Sequence, residues 1–125
     1  MFKIILADDS RTIRAILKKH LATIATENHR EIEIYEVETG IEAVEETQKI
    51  LPDLVIMDIN MPFTDGFEAG EILKSDPATS HIPIIILSAR ADPDSRAKII
   101  NIGIDDYIVK PPTLEILRDT VTRYL

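Results

Sequence analysis

Leu54-Val55-Ile56-Met57 is a run of four apolar residues that ends on Asp58 and is bracketed by Pro52 and Pro62. Too short for a helix and without polar alternation, it reads as a strand buried on both faces, as in parallel sheets covered by helices on each side. Parallel strands need a long crossover between them, usually a helix. An acid at the carboxyl end of such a strand falls where open α/β sheets place their ligands, in the crevice outside the strand ends. Asp is also a common plain cap after a strand, so its meaning depends on what else reaches the same rim.

The remaining chain supplies the required alternation. Residues 3–7 form a buried first strand ending in Asp8-Asp9, and Ser10 or Asp9 caps a helix with Ile13, Ile16, Leu17, Leu21 and Ile24 at helical spacing. Residues 32–37 alternate imperfectly between Ile and Glu, as suits a strand near a sheet edge. Thr39-Gly40-Ile41-Glu42 is a capping box that starts a second helix through about Ile50. Beyond Asp58, the turn-rich segment Met61-Pro62-Phe63-Thr64-Asp65-Gly66 leads to a third helix, capped by Asp65 with Glu68 and ended by Asp76-Pro77. Residues 83–87 are a fourth strand closing at Ser88-Ala89-Arg90, and Asp92-Pro93 starts a fourth helix that stops at Gly103. Residues 106–109 are a short fifth strand running into Lys110-Pro111-Pro112, and Leu114, Leu117, Val121 and Tyr124 mark a closing helix. Five strands alternating with five helices predict a single α/β domain over 1–125, a parallel sheet doubly wound with helices on both faces, with no output domain in this chain.

Composition narrows the chemistry. The absence of cysteine removes disulfides, thiolate metal sites and thiol catalysis together. A formal net charge of −8 argues against direct nucleic-acid binding, which needs a cationic surface. No apolar run approaches a bilayer span and no signal peptide precedes the first strand, so a cytoplasmic protein without membrane contact is expected. The acids are uneven, with eight Glu against one base, Arg30, from Glu27 to Glu46, and most of them read as a solvated face. Arg11, Arg14, Lys18 and Lys19 gather on the first helix.

At the strand ends stand Asp8 and Asp9, Asp58, Ser88 and Lys110, the last three spaced by about one βα unit each. The second strand adds nothing comparable, which fits an edge position away from the crevice. Taken singly, each residue has a bland reading as cap, turn hydroxyl or solvated lysine; their joint arrival at one rim does not. Three carboxylates repel one another unless a cation neutralises them, and a hard divalent ion such as Mg2+ accepts carboxylate oxygens while sharing its remaining sites with phosphate. Lys110 adds a charge suited to a phosphoryl oxygen, Ser88 a donor, and Asp58 a nucleophile toward phosphorus.

Asp8-Asp9-Ser10, Met57-Asp58-Ile59-Asn60-Met61-Pro62 followed by Asp65-Gly66, Ser88-Ala89 and Lys110-Pro111 resemble the response-regulator receiver domain of two-component signalling, over essentially all 125 residues. The resemblance implies the flavodoxin-like strand order 2-1-3-4-5, of which this family is itself a standard instance. It implies Asp58 as phospho-acceptor from a histidine kinase or phosphotransfer protein, in a signalling receiver that catalyses only its own phosphorylation and dephosphorylation. Asp9, Asp58 and the Asn60 backbone carbonyl would bind Mg2+, with Asp8 acting through a metal-bound water. Lys110 would contact the phosphoryl group and precede a cis peptide to Pro111. Ser88 and Tyr107 would be the coupled switch residues, changing the surface of helix 4, strand 5 and helix 5 for a downstream target or output domain.

The chain departs from the family pattern at Pro112, where a bulkier side chain is usual, and in the stretch 25–31, which looks long for a connection. Arg90, at the mouth beside Ser88, is expected to shield the acyl phosphate. Ile99, Ile100, Ile102 and Ile104 exceed what one stripe can bury, so some apolar surface is expected to face outward near Tyr107, favouring a monomer or a weak phosphorylation-promoted homodimer. Rival readings fare worse. An aspartyl-phosphate phosphatase usually carries a second acid two residues after its nucleophile, where this chain has Asn60. A partner-binding receiver that is never phosphorylated has no need of the intact rim. The four glycines form no phosphate-cradling motif, and the three histidines lack metal-site spacing.

Overall fold

A computed structural model describes residues 1–89 and 92–125. Arg90 lies outside the described residues. The elements alternate as β1 (Phe2–Ala7), α1 (Arg11–Glu27), β2 (Ile32–Val37), α2 (Gly40–Ile50), β3 (Leu54–Asp58), α3 (Gly66–Ser75), β4 (Ile84–Ser88), α4 (Pro93–Ile102), β5 (Asp106–Val109) and α5 (Leu114–Val121). All strand pairings are parallel, in the order β2-β1-β3-β4-β5. This is the expected doubly wound, flavodoxin-like arrangement.

Strand alternation divides the core into two layers. Ile4, Leu6, Leu54, Ile56, Ile85, Leu87 and Ile108 pack against Leu17, Leu21 and Ile24 of α1 and Leu117 and Val121 of α5. The intervening residues Ile5, Ala7, Val55, Met57, Ile84 and Ile86 pack on the other face against α2, α3 and α4. Only β3 and β4 are buried along their whole length, whereas β2 and β5 are partly open, as befits edges.

Each helix starts on a side-chain cap. Ser10, Thr39, Asp65, Asp92 and Thr113 accept from the backbone N–H groups of Ile13, Glu42, Glu68, Ser95 and Ile116 respectively, each cap being worth about 1 kcal/mol. These caps lie at the carboxyl ends of the strands and set the helices directly behind the rim.

Two sequence expectations change. The seemingly long connection at 25–31 is mostly helix, because α1 runs to Glu27. The closing helix ends at Val121, so Tyr124 is not part of it; its hydroxyl is drawn to the Asp106 carboxylate, which Arg123 also grips at 2.9 Å. Burial and that carboxylate hold the Tyr124 phenol well above its ordinary pKa. The acidic face is for the most part solvated, as expected, with Glu27, Glu31, Glu36, Glu38, Glu42 and Glu45 exposed, and some of its acids are ion-paired: Glu27 with Arg118 at 2.9 Å, Glu36 with Arg14 and Lys18 at 3.0 Å, and Glu38 with Arg14 at 3.2 Å. Pro112, the departure after Lys110-Pro111, is buried. Of the four isoleucines near α4, Ile99 and Ile104 are buried, Ile102 is packed at the core margin and Ile100 is 76% exposed.

Candidate functional site

The register explains why three charged groups meet. Ala7 lies opposite Met57, so one step further along the strands Asp8 comes level with Asp58. Both continue the alternation of Ile4–Leu6 and Leu54–Ile56 and therefore leave the sheet on the α1/α5 side. Lys110 follows Ile108 in the same alternation, and its backbone N–H donates to the Ser88 carbonyl at 2.7 Å. Lys110 Nζ reaches Asp8 Oδ2 and Asp58 Oδ2, each at 3.2 Å. Its peptide bond to Pro111 is cis.

Asp8 and Asp58 are 1% and 4% exposed, and Asp9 is exposed, yet oxygens of all three lie within 4.8 Å of one another. Asp8 Oδ1 also accepts from the Ser10 backbone N–H at 2.9 Å. Asp58 Oδ1 is buried and has no hydrogen-bond partner among the described residues. Burial raises the Asp58 carboxyl above the ordinary carboxylate value, and the neighbouring Asp8 charge adds to this; Lys110 and, more weakly, the Asn60 backbone work the other way. Burial pushes the Lys110 ammonium down, but Asp58 and Asp8 outweigh it and hold the amine above its ordinary value. An all-oxygen donor set with an orphaned, buried carboxylate oxygen fits a hard divalent cation.

Ser88 is buried at the end of β4 and leaves the sheet with Ile84 and Ile86, on the α3/α4 side. Tyr107, opposite Ile86, packs half-buried against the same layer, with the Arg96 guanidinium 5.9 Å from its ring centroid. Thus Asp8, Asp9, Asp58 and Lys110 form one cluster, while Ser88 and Tyr107 share the opposite face of the sheet and connect the rim to α4. Asn60 approaches Asp58 through its backbone, its side chain exposed in the β3–α3 loop.

That loop is closed by a contact only glycine allows. Gly66 donates its N–H to the Ile59 carbonyl at 2.8 Å, and a Cβ on Gly66 would stand 2.4 Å from the Asp58 carbonyl oxygen. Gly66→Ala is expected to cost about 2 kcal/mol in a urea unfolding titration and to weaken Mg2+ binding, since the backbone displaced is that of Asp58 itself. An unchanged midpoint would show that the loop yields without strain.

Arg14 was legible only as one of several bases on the first helix, yet it is buried on the apolar stripe with Leu17, Leu21 and Ile24. A charged residue in step with that stripe was the available signal. Among the described residues no helix is long and apolar enough to cross a membrane.

The chain matches the response regulator receiver domain over residues 4–122. It is 34% identical to a gliding motility regulatory protein of Myxococcus xanthus over 97% of this chain and 15% of that protein. It is 36% identical to the phosphate regulon transcriptional regulatory protein PhoB of Rhizobium meliloti over 87% of this chain and 45% of that protein. The chain therefore spans less than half the length of these relatives. Among solved structures, the chemotaxis protein CheY4 of Vibrio cholerae superposes with a TM-score of 0.87 at 29% identity, covering 100% of this chain and 99% of that one.

Proposed function

The chain belongs to the response regulator receiver domain family, and on that premise we propose that it is a switch driven by Mg2+-dependent phosphoryl transfer from a phosphohistidine donor to Asp58. The observation that carries this reading is the buried Asp58 carboxylate, with one oxygen on Lys110 at 3.2 Å and the other, beside two further acids, unpartnered among the described residues. Asp9, Asp58 and the Asn60 carbonyl would hold the ion, with Asp8 behind a metal-bound water. When bound, Mg2+ supplies positive charge that offsets the acids and the oxygens of the transferring group.

The chain's own residues account for the rest. A carboxylate oxygen of Asp58 attacks phosphorus as the P–N bond to the donor imidazole breaks, and that electron pair stays on the ring nitrogen, which takes a proton from solvent. Lys110 leaves its ion pair to contact a phosphoryl oxygen, and charge on that oxygen replaces the carboxylate charge it faced before. Water then regenerates the Asp58 carboxylate and releases inorganic phosphate. The added charge favours the conformer in which the Ser88 hydroxyl donates to the phosphoryl group and Tyr107 turns inward beside it, the two sharing one face of the sheet. The altered surface is that of α4, β5 and α5, where Ile100 stands exposed, and it would serve a downstream protein target or output domain.

The deciding experiment is intact mass after incubation with acetyl phosphate, with and without Mg2+. A Mg2+-dependent gain of one phosphoryl group supports the reading; no gain, with a phosphorylated histidine kinase as well, overturns it in favour of an unphosphorylated partner-binding module. Sedimentation velocity provides a further check on the switch: weak self-association through the α4–β5–α5 face is expected to strengthen with beryllofluoride and Mg2+. A monomer at high concentration in both states would remove the dimer from the scheme.

A further inference from the structure

Arg14 is only 7% exposed, and a buried guanidinium is costly unless its donors are met. Here three groups meet them: Nη1 donates to the Asp8 backbone carbonyl at 2.6 Å, Nε to Glu36 at 3.0 Å and Nη2 to Glu38 at 3.2 Å. Glu36 is held in turn by Lys18 at 3.0 Å, and the Glu38 backbone N–H donates to Glu42 at 3.4 Å. The guanidinium thus joins the β1–α1 turn to the carboxyl end of the edge strand β2 and the start of α2.

The Asp8 carbonyl belongs to the same rigid peptide plane as the nitrogen and Cα of Asp9. Fixing that oxygen fixes the plane from which the Asp9 Cα departs, and so limits where its carboxylate can reach. The two acids differ in how much else holds them. The Asp8 carboxylate is gripped by the Ser10 N–H and by Lys110, whereas the exposed Asp9 carboxylate makes no hydrogen bond or ion pair among the described residues. Apart from its own rotamer, its position is therefore left to its backbone.

We propose that Arg14 is a positioning residue for the cation site, orienting Asp9 through the 8–9 peptide, with Glu36 and Glu38 of the edge-strand region holding the guanidinium in place. This rests on the receiver reading above and deepens it: the end of β2, which sends no ligand to the rim, takes part in cation binding through Glu36 and the adjoining Glu38. Groups behind metal ligands commonly alter affinity by 10–100-fold when removed.

The test is Mg2+ titration calorimetry on the wild type, Arg14→Gln, Arg14→Lys and the double variant Glu36→Gln/Glu38→Gln, with acetyl-phosphate labelling followed against Mg2+ concentration. Arg14→Gln is expected to weaken Mg2+ binding about 10-fold or more and to shift the Asp9 and Ser10 amide resonances, while labelling at saturating Mg2+ stays close to wild type. The double variant shifts affinity the same way but less, and Arg14→Lys recovers part of the loss because an ammonium reaches the carbonyl but not all three acceptors. Should Arg14→Gln fail to melt cooperatively, the double variant, altered only in acids at the edge, decides. Folded variants that bind Mg2+ as wild type does would overturn the proposal, as would a lower saturated rate with unchanged affinity. A wild type that neither binds Mg2+ nor labels would instead overturn the receiver reading beneath it.

Discussion

Asp58→Asn is expected to lower phosphoryl uptake from acetyl phosphate by on the order of 10³-fold or more while making the fold more stable. The loss of uptake follows because the amide oxygen is a far weaker nucleophile and the substituted site lacks the carboxylate that both faces Lys110 and holds an unpartnered oxygen. The gain in stability follows from the carboxyl's raised pKa, due first to burial and then to Asp8. A carboxyl whose pKa is higher folded than unfolded binds protons more tightly in the native state. Its favourable contribution is present below the unfolded value, near 3.8, and is lost as pH rises through the folded value. At neutral pH the ionised Asp58 therefore opposes folding, and the amide removes that opposition while leaving Lys110 its second partner, Asp8, at 3.2 Å. A gain of about 1 kcal/mol is expected at pH 7, shrinking as the pH is lowered toward the ordinary carboxylate range. Intact mass and thermal melts at two pH values read both halves. A variant that still gains a phosphoryl group would move the acceptor elsewhere, and one that melts below wild type at pH 7 would show that Asp58 is retained for stability.

That opposition between function and stability also explains which parts of the molecule were legible in its sequence. Asp58 was legible because a carboxyl group immediately after four buried residues breaks the logic of a core strand, and Lys110 because it repeats the break one βα unit after Ser88. The strand order was legible only with the resemblance, since spacing alone does not say which strand lies at the edge. Arg14 was not, because a base on a helix is ordinarily a solvated one, and its burial depends on Glu36 and Glu38 arriving from another strand. Tyr124 was misplaced because periodicity carries a helix past the point where a tertiary partner, here Asp106, captures the next aromatic ring. The backbone likewise hid its tight points. His29, Leu51 and Phe63 take φ values of 53°, 52° and 70°, so three left-handed turns fell where no glycine marked them, whereas Gly103, at φ 90°, closes α4 where the sequence places its end. Gly40 and Gly66 serve close approach instead, with a Cβ at Gly40 falling 1.8 Å from the Thr64 carbonyl oxygen.

Lys110→Ala is expected to destabilise the free protein by about 2–3 kcal/mol at pH 7, with most of that cost returning on acidification or on adding Mg2+. Removing the ammonium leaves Asp8 and Asp58 buried side by side, each stripped of the cation at 3.2 Å that offset their repulsion. The cost is set below that of a fully buried pair because the lysine side chain retains 20% exposure. The lysine's own pKa lies above its ordinary 10.5, its acids outweighing burial, so its contribution is complete at neutral pH and would fade only above that value. The pH response below neutrality must therefore come from the acids. Without Lys110 the Asp58 carboxyl rises further, and protonating it as pH falls relieves the repulsion in the native state before the unfolded chain titrates. Wild type and variant accordingly converge between pH 7 and a second, lower pH near the ordinary carboxylate range. On the proposed reading Mg2+ at the three-acid cluster would supply the missing charge by another route, so saturating Mg2+ should narrow the same gap at pH 7. Urea titrations at both pH values, with and without Mg2+, measure this directly. A gap that ignores both pH and Mg2+ would mean that Lys110 supports the fold by packing its stem alone, and that the charge balance of the cluster rests on another group.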